Sequence, residues 1–349
     1  MDKRKVKVIK GIAISLVCAL HIFTNSRMQE IEFCSWPFSR EIFLSISHRL
    51  KWTVAVFVFC TGYGMTFQIM RLHLGKCKEY VRYIILRYVR IMQPYWFVYF
   101  VVFITFVLIP SIEISDIYAE GNLLKCIVSD VFLLKRLLGT PRLCNTWWYM
   151  MLAVKLIFTV PIIYCMLKYF GIIISTEVIF VILNVVNFNP RNDTLWIYLF
   201  ALYFGCIFSK YTLFEKLQNI SQNKNTNWPS GIIGSMLFIC AIWLRYGFKR
   251  TSLIEGSIAV GFCLVVVSIP KIPGISKVLE TLGKHSTNIF LIHTVIKNYW
   301  FKGFIYGLTN VWMMWLVNLS MALFSSIFFE YIKKKIGYIK LFENIEAKI

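Results

Sequence analysis

Lys10-Gly11-Ile12-Ala13-Ile14-Ser15-Leu16-Val17-Cys18-Ala19-Leu20-His21 is an apolar run with a cation at its entrance and one imidazole eleven residues later. At about 1.5 Å of rise per residue, eleven helical steps cover roughly 16 Å, half of the ~30 Å hydrocarbon core of a bilayer. A helix entering lipid near Lys10 therefore carries His21 to about the midplane. Ionisable side chains are rare at that depth because desolvation is costly, so such a residue is read first as functional. The other reading is a neutral imidazole that bonds a neighbouring helix, and this helix alone does not choose between them.

The rest of the chain has the same character. Its 349 residues are 58% hydrophobic, with a mean hydropathy of +0.65, and the apolar residues are grouped in runs long enough to span lipid. Met1-Asp2-Lys3-Arg4-Lys5 before an apolar run mimics a signal peptide, but no small-residue cleavage site follows. The first helix is therefore expected to remain uncleaved. About ten spans are expected, at roughly 9–25, 52–70, 91–110, 146–167, 171–188, 194–209, 230–245, 253–269, 287–304 and 311–330. The stretches between them, of which 26–51 and 111–145 are the longest, are too short for a soluble core. The expected fold is an all-α, polytopic helical bundle forming one domain over residues 1–349.

Charge sets the expected orientation. If the N-terminus is cytoplasmic, most of the Lys and Arg fall on inner segments, including Lys3 to Lys10, Arg71 to Arg90 and Lys333 to Lys335, which places both termini inside. Facing anionic lipid, a formal net charge of +21 needs no nucleic-acid partner. Lys155 and Lys297 fall within spans. The ten cysteines contain no C-x-x-C pair, and Cys18, Cys60, Cys165, Cys206, Cys240 and Cys263 lie in apolar runs, where a thiol is ordinary packing. Cys34, Cys126 and Cys144 fall in outer loops and could pair. The five histidines lack metal-ligand spacing, and no metal is expected.

A second informative stretch is Arg87-Tyr88-Val89-Arg90-Ile91-Met92-Gln93-Pro94-Tyr95. Residues three apart share a helix face, so Arg87 and Arg90 present two guanidinium groups together at the cytoplasmic entrance of the third span. Planar, fixed donors fork onto phosphate oxygens better than an ammonium does. The pair suits a phosphate-rich cytosolic ligand or, equally in kind, lipid headgroups.

In their order these pieces resemble the acyltransferase 3 family of integral membrane acyltransferases. The pieces are Lys10-x10-His21, then Phe57-Val58-Phe59-Cys60-Thr61-Gly62-Tyr63-Gly64, then Arg87-x-x-Arg90-Ile91 with Pro94-Tyr95. Asn145-Thr146-Trp147-Trp148-Tyr149 leading to Pro161, and Leu282-Gly283-Lys284-His285-Ser286-Thr287-Asn288-Ile289-Phe290-Leu291-Ile292-His293, continue it. The likeness runs from residue 10 to about 293 and is greatest to single-domain members attached to surface-polysaccharide pathways. It implies a multi-pass protein of the cell membrane that transfers an acyl group, usually acetyl, from cytosolic acyl-CoA to a carbohydrate hydroxyl. No permanently bound cofactor is implied; acyl-CoA is a co-substrate, and the partners are a carbohydrate acceptor and membrane lipid. His21 takes the family's histidine position and Arg87 and Arg90 its arginine pair. Lys10 stands where the family has arginine, keeping the charge but losing the fork, so donor binding is expected of Lys10, Arg87 and Arg90 with Lys10 a point charge. Thr61 is the small polar residue before Gly62. Where some members carry a glutamate after the fourth-span tryptophan, this chain reads Met150, Met151 and Leu152, with Lys155 further on.

The chemistry suits these residue types. A sugar hydroxyl attacks a thioester once a base takes its proton, and an imidazole titrates near neutral pH. His21 is thus the expected general base or, by a second route, a transient acyl carrier. No orienting carboxylate stands out among Glu30, Glu32, Glu41 and Glu255. Thr61, Tyr95, Trp148, Lys155, Asn288 and His293 are candidate cavity-lining residues; packing, snorkelling or an interfacial aromatic belt accounts for several of them equally well. The competing reading is a proton-coupled transporter or a flippase of saccharide precursors, in which His21 relays protons. Such carriers commonly have paired halves, and no internal symmetry is evident here.

Overall fold

A computed structural model describes residues 1–109, 114–118, 122–185, 194–220, 228–247 and 251–349. Four cations of the charge pattern, Arg191, Lys224, Lys249 and Arg250, lie outside these residues, as do the last residues of the spans expected at 91–110 and 171–188. The regular elements among the described residues are all helices, with one isolated bridge between Cys34 and Asn310. The principal helices are α1 (Lys3–Phe23), α2 (Thr53–Arg71), α3 (Cys77–Leu108), α4 (Trp148–Val185), α5 (Leu199–Lys210), α6 (Trp228–Gly247), α7 (Ser252–Ser268), α8 (Pro273–Lys284), α9 (Ser286–Val295), α10 (Val311–Lys335) and α11 (Tyr338–Lys348).

Six stretches, Lys3–Phe23, Arg40–Arg71, Cys77–Leu108, Asn145–Val185, Pro229–Gly247 and Val311–Lys335, are long and apolar enough to cross a bilayer. Together they account for seven of the ten expected spans, because the fourth and fifth are one helix, α4. That helix is broken at Gly171, whose φ of +72° is open to glycine at no steric cost. The other three expected spans fall on shorter helices: α5 has 12 residues, α7 has 17, and α9 has 10 before it changes register. Pro94 and Pro161 lie inside α3 and α4; Pro94 lacks the N–H that would meet the Arg90 carbonyl.

The contacts divide the chain into two units. The first comprises Met1–Val17, Arg49–Ile84 and Lys155–Lys284. Here helices meet through glycine: a Cβ on Gly11 would overlap the Leu279 carbonyl, and one on Gly283 the Lys7 carbonyl, so α1 and α8 touch backbone to backbone. Gly62 and Gly205 do the same for α2 and α5. Trp52 packs against Phe238 and Phe262, each with ring centroids 5.2 Å away, which ties the entrance of α2 to α6 and α7. Between α6 and α7, Arg245 Nε donates to Glu255 Oε1 at 2.8 Å, with the two side chains 7% and 0% exposed.

The second unit comprises Cys18–His48, Ile85–Val154 and His285–Ile349. Its loop after α1 is pinned to the start of α10: Cys34 N–H donates to the Thr309 carbonyl at 2.7 Å and Val311 N–H to the Cys34 carbonyl at 3.1 Å. Asn310 caps α10, its side chain accepting from the N–H groups of Trp312 and Met313. Trp147 is buried edge-on against Tyr95, whose hydroxyl donates to the Asp130 carbonyl at 2.7 Å. The Asp130 carboxylate accepts from Tyr118 and from Leu143 N–H, while burial holds its pKa above the ordinary carboxylate range.

Candidate functional site

The site is built in the second unit from two helix ends. α1 finishes at Phe23, where Thr24 turns its hydroxyl back onto the Leu20 carbonyl at 2.7 Å. His21 consequently sits in the last turn of α1 rather than halfway along it, because the helix begins at Lys3, seven residues before Lys10. Asn25 follows one turn after His21 and donates through Nδ2 to Asn298 Oδ1 at 3.1 Å.

The second helix end is that of α9. His293 is fully buried, and its Nδ1 lies 3.0 Å from the Ile289 carbonyl one turn back. A carbonyl only accepts, so Nδ1 carries a proton. Nε2 has no hydrogen-bond partner among the described residues. The ring of His21 stands against it, with centroids 5.2 Å apart and planes inclined at 44°. After Val295 the helix widens into a π turn, Ile296–Trp300, a form frequent at functional sites. Within that turn Lys297 Nζ donates to Asn298 Oδ1 at 2.8 Å and to the Tyr306 hydroxyl at 3.3 Å.

A third segment braces this pair. Thr146 Oγ1 and Thr294 Oγ1 share a hydrogen bond at 2.8 Å, and the Cys144 thiol reaches Thr294 at 3.3 Å. The Trp147 indole N–H donates to the Leu291 carbonyl at 2.8 Å. Tyr149 packs edge-on to Phe290, which in turn touches His293. The motif Asn145–Tyr149 thus acts here by holding α9, with Trp147 buried and Trp148 half-buried. All ten cysteines are free thiols, so Cys144 serves α9 and the outer-loop cysteines form no disulfide.

The arginine pair lies on α3 in the same unit, with Arg87 half-buried and Arg90 exposed. Arg90 does fork onto a carboxylate: Nε and Nη2 donate to Glu346 Oε2 at 2.9 and 2.7 Å. Glu346 belongs to α11, which docks on α3 through Phe342 against Trp96 and through the Tyr338 hydroxyl donating to the Gln93 carbonyl at 2.9 Å. Burial raises the Tyr338 pKa to about 12. At the start of α9, Asn288 donates to Glu330 Oε1 at 2.8 Å, and Lys333 pairs with the same oxygen. His285 Nδ1 meets Ser326 Oγ at 2.9 Å.

A family model described as an acyltransferase domain matches residues 4–331. The chain belongs to the acyltransferase 3 family. No curated protein and no solved structure matches it. In this acyltransferase 3 chain the matched residues include both histidines, the arginine pair and the π turn, while α11 lies beyond them.

The sequence candidates are distributed as follows. His21 and His293 are brought into contact. Tyr95 donates its hydroxyl to Asp130, and Asn288 engages Glu330. Lys10, Thr61 and Lys155 belong to the first unit, where Thr61 bonds the Phe57 carbonyl of its own helix at 2.9 Å and Lys10 and Lys155 are half-buried. Of the carboxylates considered as partners for His21, Glu255 is committed to Arg245, and Glu30, Glu32 and Glu41 are exposed. Sequence reasoning did not count Asn25, Lys297, Asn298 or Glu346 among the site candidates, although it noted Lys297 as a cation within a span. The first two carried a signal: Asn25 and Lys297 each follow a histidine by four residues, the spacing that stacks side chains on one helix face.

Proposed function

We propose that this acyltransferase is an acyl-CoA-dependent O-acyltransferase of the cell membrane, with both termini cytoplasmic. It moves an acetyl or related acyl group to a hydroxyl of a cell-surface or lipid-linked saccharide. The observation that carries the reading is the pair of imidazoles, His21 against His293, on two helix ends of a family whose activity is acyl transfer. An imidazole beside a reacting hydroxyl takes its proton as the oxygen attacks the thioester carbon, and returns it to the departing thiolate. Where His21 attacks first, an acyl-imidazole forms and the sugar oxygen then captures the acyl group. Arg87 and Arg90 supply guanidinium groups for the phosphates of the donor.

The test uses the full chain in lipid nanodiscs with radiolabelled acetyl-CoA and, as acceptor, the surface glycan fraction from cells that lack this protein. Label passes to the glycan with the wild type and not with His21→Ala, at equal amounts of folded protein. Equal transfer by the variant removes His21 from the reaction. Flux of saccharide precursor into sealed vesicles without any acyl donor would favour a carrier instead.

A further inference from the structure

Lys297 is 2% exposed. Its ammonium has three N–H bonds, and two are directed at Asn298 and Tyr306. Among the described residues no carboxylate lies within ion-pair distance of it, in contrast to Arg245, which is buried with Glu255. The thiols of Cys144 and Cys18 lie within electrostatic reach of it. Nor does the side chain snorkel, since its charged end is enclosed. A buried ammonium without a counter-ion is unfavourable for stability, and a methionine would fill the same volume without that penalty.

Three features fix where this charge stands. The π turn sets its direction. Lys297 lies one turn after His293 and within electrostatic reach of it, and His293 packs on His21. The Asn298 carboxamide that accepts from Lys297 also accepts from Asn25, one turn after His21, so a single oxygen ties both helix ends.

We propose that Lys297 is a further catalytic residue, donating its remaining N–H to the thioester carbonyl oxygen as that oxygen becomes an oxyanion; this rests on the acyl-transfer reading above. The acceptor oxygen bonds to the carbonyl carbon while its proton passes to His21. The carbonyl π pair moves onto oxygen, where the ammonium holds it. As the pair returns, the carbon–sulfur bond breaks, and the departing thiolate takes the proton from the imidazolium. Lys297 keeps all its protons and acts by fixed charge in a site shielded from water, where preorganised donors are most effective. A capture of the acyl group from an acyl-imidazole generates an oxyanion at the same carbonyl and uses the same donor.

The experiment measures glycan labelling from radiolabelled acetyl-CoA, in nanodiscs, for the wild type and for Lys297→Met, Lys297→Gln and Lys297→Arg. The expected result is a kcat at least 100-fold lower in the Met and Gln variants, a KM for acetyl-CoA within twofold of wild type, and partial recovery in the Arg variant. Thermal unfolding of Lys297→Met should occur at or above the wild-type temperature. The proposal is overturned by a kcat within threefold of wild type in both neutral variants, by a loss that lies wholly in KM, or by loss of folded protein in both, which would assign Lys297 to the scaffold. Absence of labelling by the wild type would instead overturn the acyl-transfer reading, and Lys297's role with it.

Discussion

His293 faces His21 at 5.2 Å between ring centroids, and its own Nδ1–H is anchored to the Ile289 carbonyl. A second imidazole thus occupies the neighbourhood in which a carboxylate was sought for His21. Because one ring is fixed by its own helix, it restricts the orientation of the other. His21→Ala is expected to lower the transfer rate by at least ~10²-fold, the usual contribution of a general base. His293→Phe, which keeps a ring of similar size, is expected to lower it by a smaller factor. In the double variant the losses should be far from additive, because residues that act as a unit are lost as a unit. Rates of glycan labelling for the four proteins test this; additive losses would separate the two rings functionally.

Arg90 and Glu346 form a bond that is half in solvent, their side chains being 52% and 22% exposed. Such a pair is worth no more than about 1 kcal/mol, so a phosphate can take the place of the carboxylate. Glu346→Gln is therefore expected to lower the KM for acetyl-CoA by up to about fivefold at unchanged kcat. Arg90→Gln should raise it. Initial rates over a range of acetyl-CoA concentrations give both values, and a KM indifferent to either change would detach this arginine from the donor.

The backbone contact between α1 and α8 tolerates no side chain at Gly11 or Gly283. Gly283→Val places carbon atoms where the Lys7 carbonyl stands, and main chain does not yield as a flexible side chain would. A destabilisation of about 2 kcal/mol or more is expected, in the range of overpacked cores. Thermal unfolding followed by size-exclusion chromatography reads it directly. Gly303, where a Cβ meets nothing, supplies the control: Gly303→Ala should unfold with the wild type.

Arg245 and Glu255 should behave as a pair whose members are worse apart than absent together. Glu255→Ala leaves the guanidinium without its carboxylate, bonded to the Arg49 carbonyl and the Tyr246 hydroxyl, and is expected to destabilise by about 3 kcal/mol. Replacing both, with Arg245→Met and Glu255→Leu, should restore most of that loss. Unfolding midpoints of the single and double variants decide the matter.

How much of this was legible in the sequence varies by residue. Hydropathy located the long helices, and the order of motifs led to the family, because both are written in local runs. The number of spans was less legible: α5 and α7 are apolar enough to be counted but are short, and helix length depends on where neighbouring helices allow an end. Lys297 was visible as a cation inside an apolar run, yet its meaning depended on a change of helical register that no local pattern announces. Glu346 could not be found at all, since its partner Arg90 is 256 residues away and an exposed glutamate near a C-terminus reads as a solvated face.

The π turn at Ile296–Trp300 holds one residue more than an α-helical turn would need. Deleting Tyr299 would let the segment relax to the commoner winding, which covers about the same rotation in one residue fewer, and so would remove the widened turn that carries Lys297. The Tyr306 hydroxyl would then leave the ammonium it now meets. The geometry of the proposed site is in this sense a matter of counting: a three-nucleotide loss would leave a folded protein with its charge aimed elsewhere.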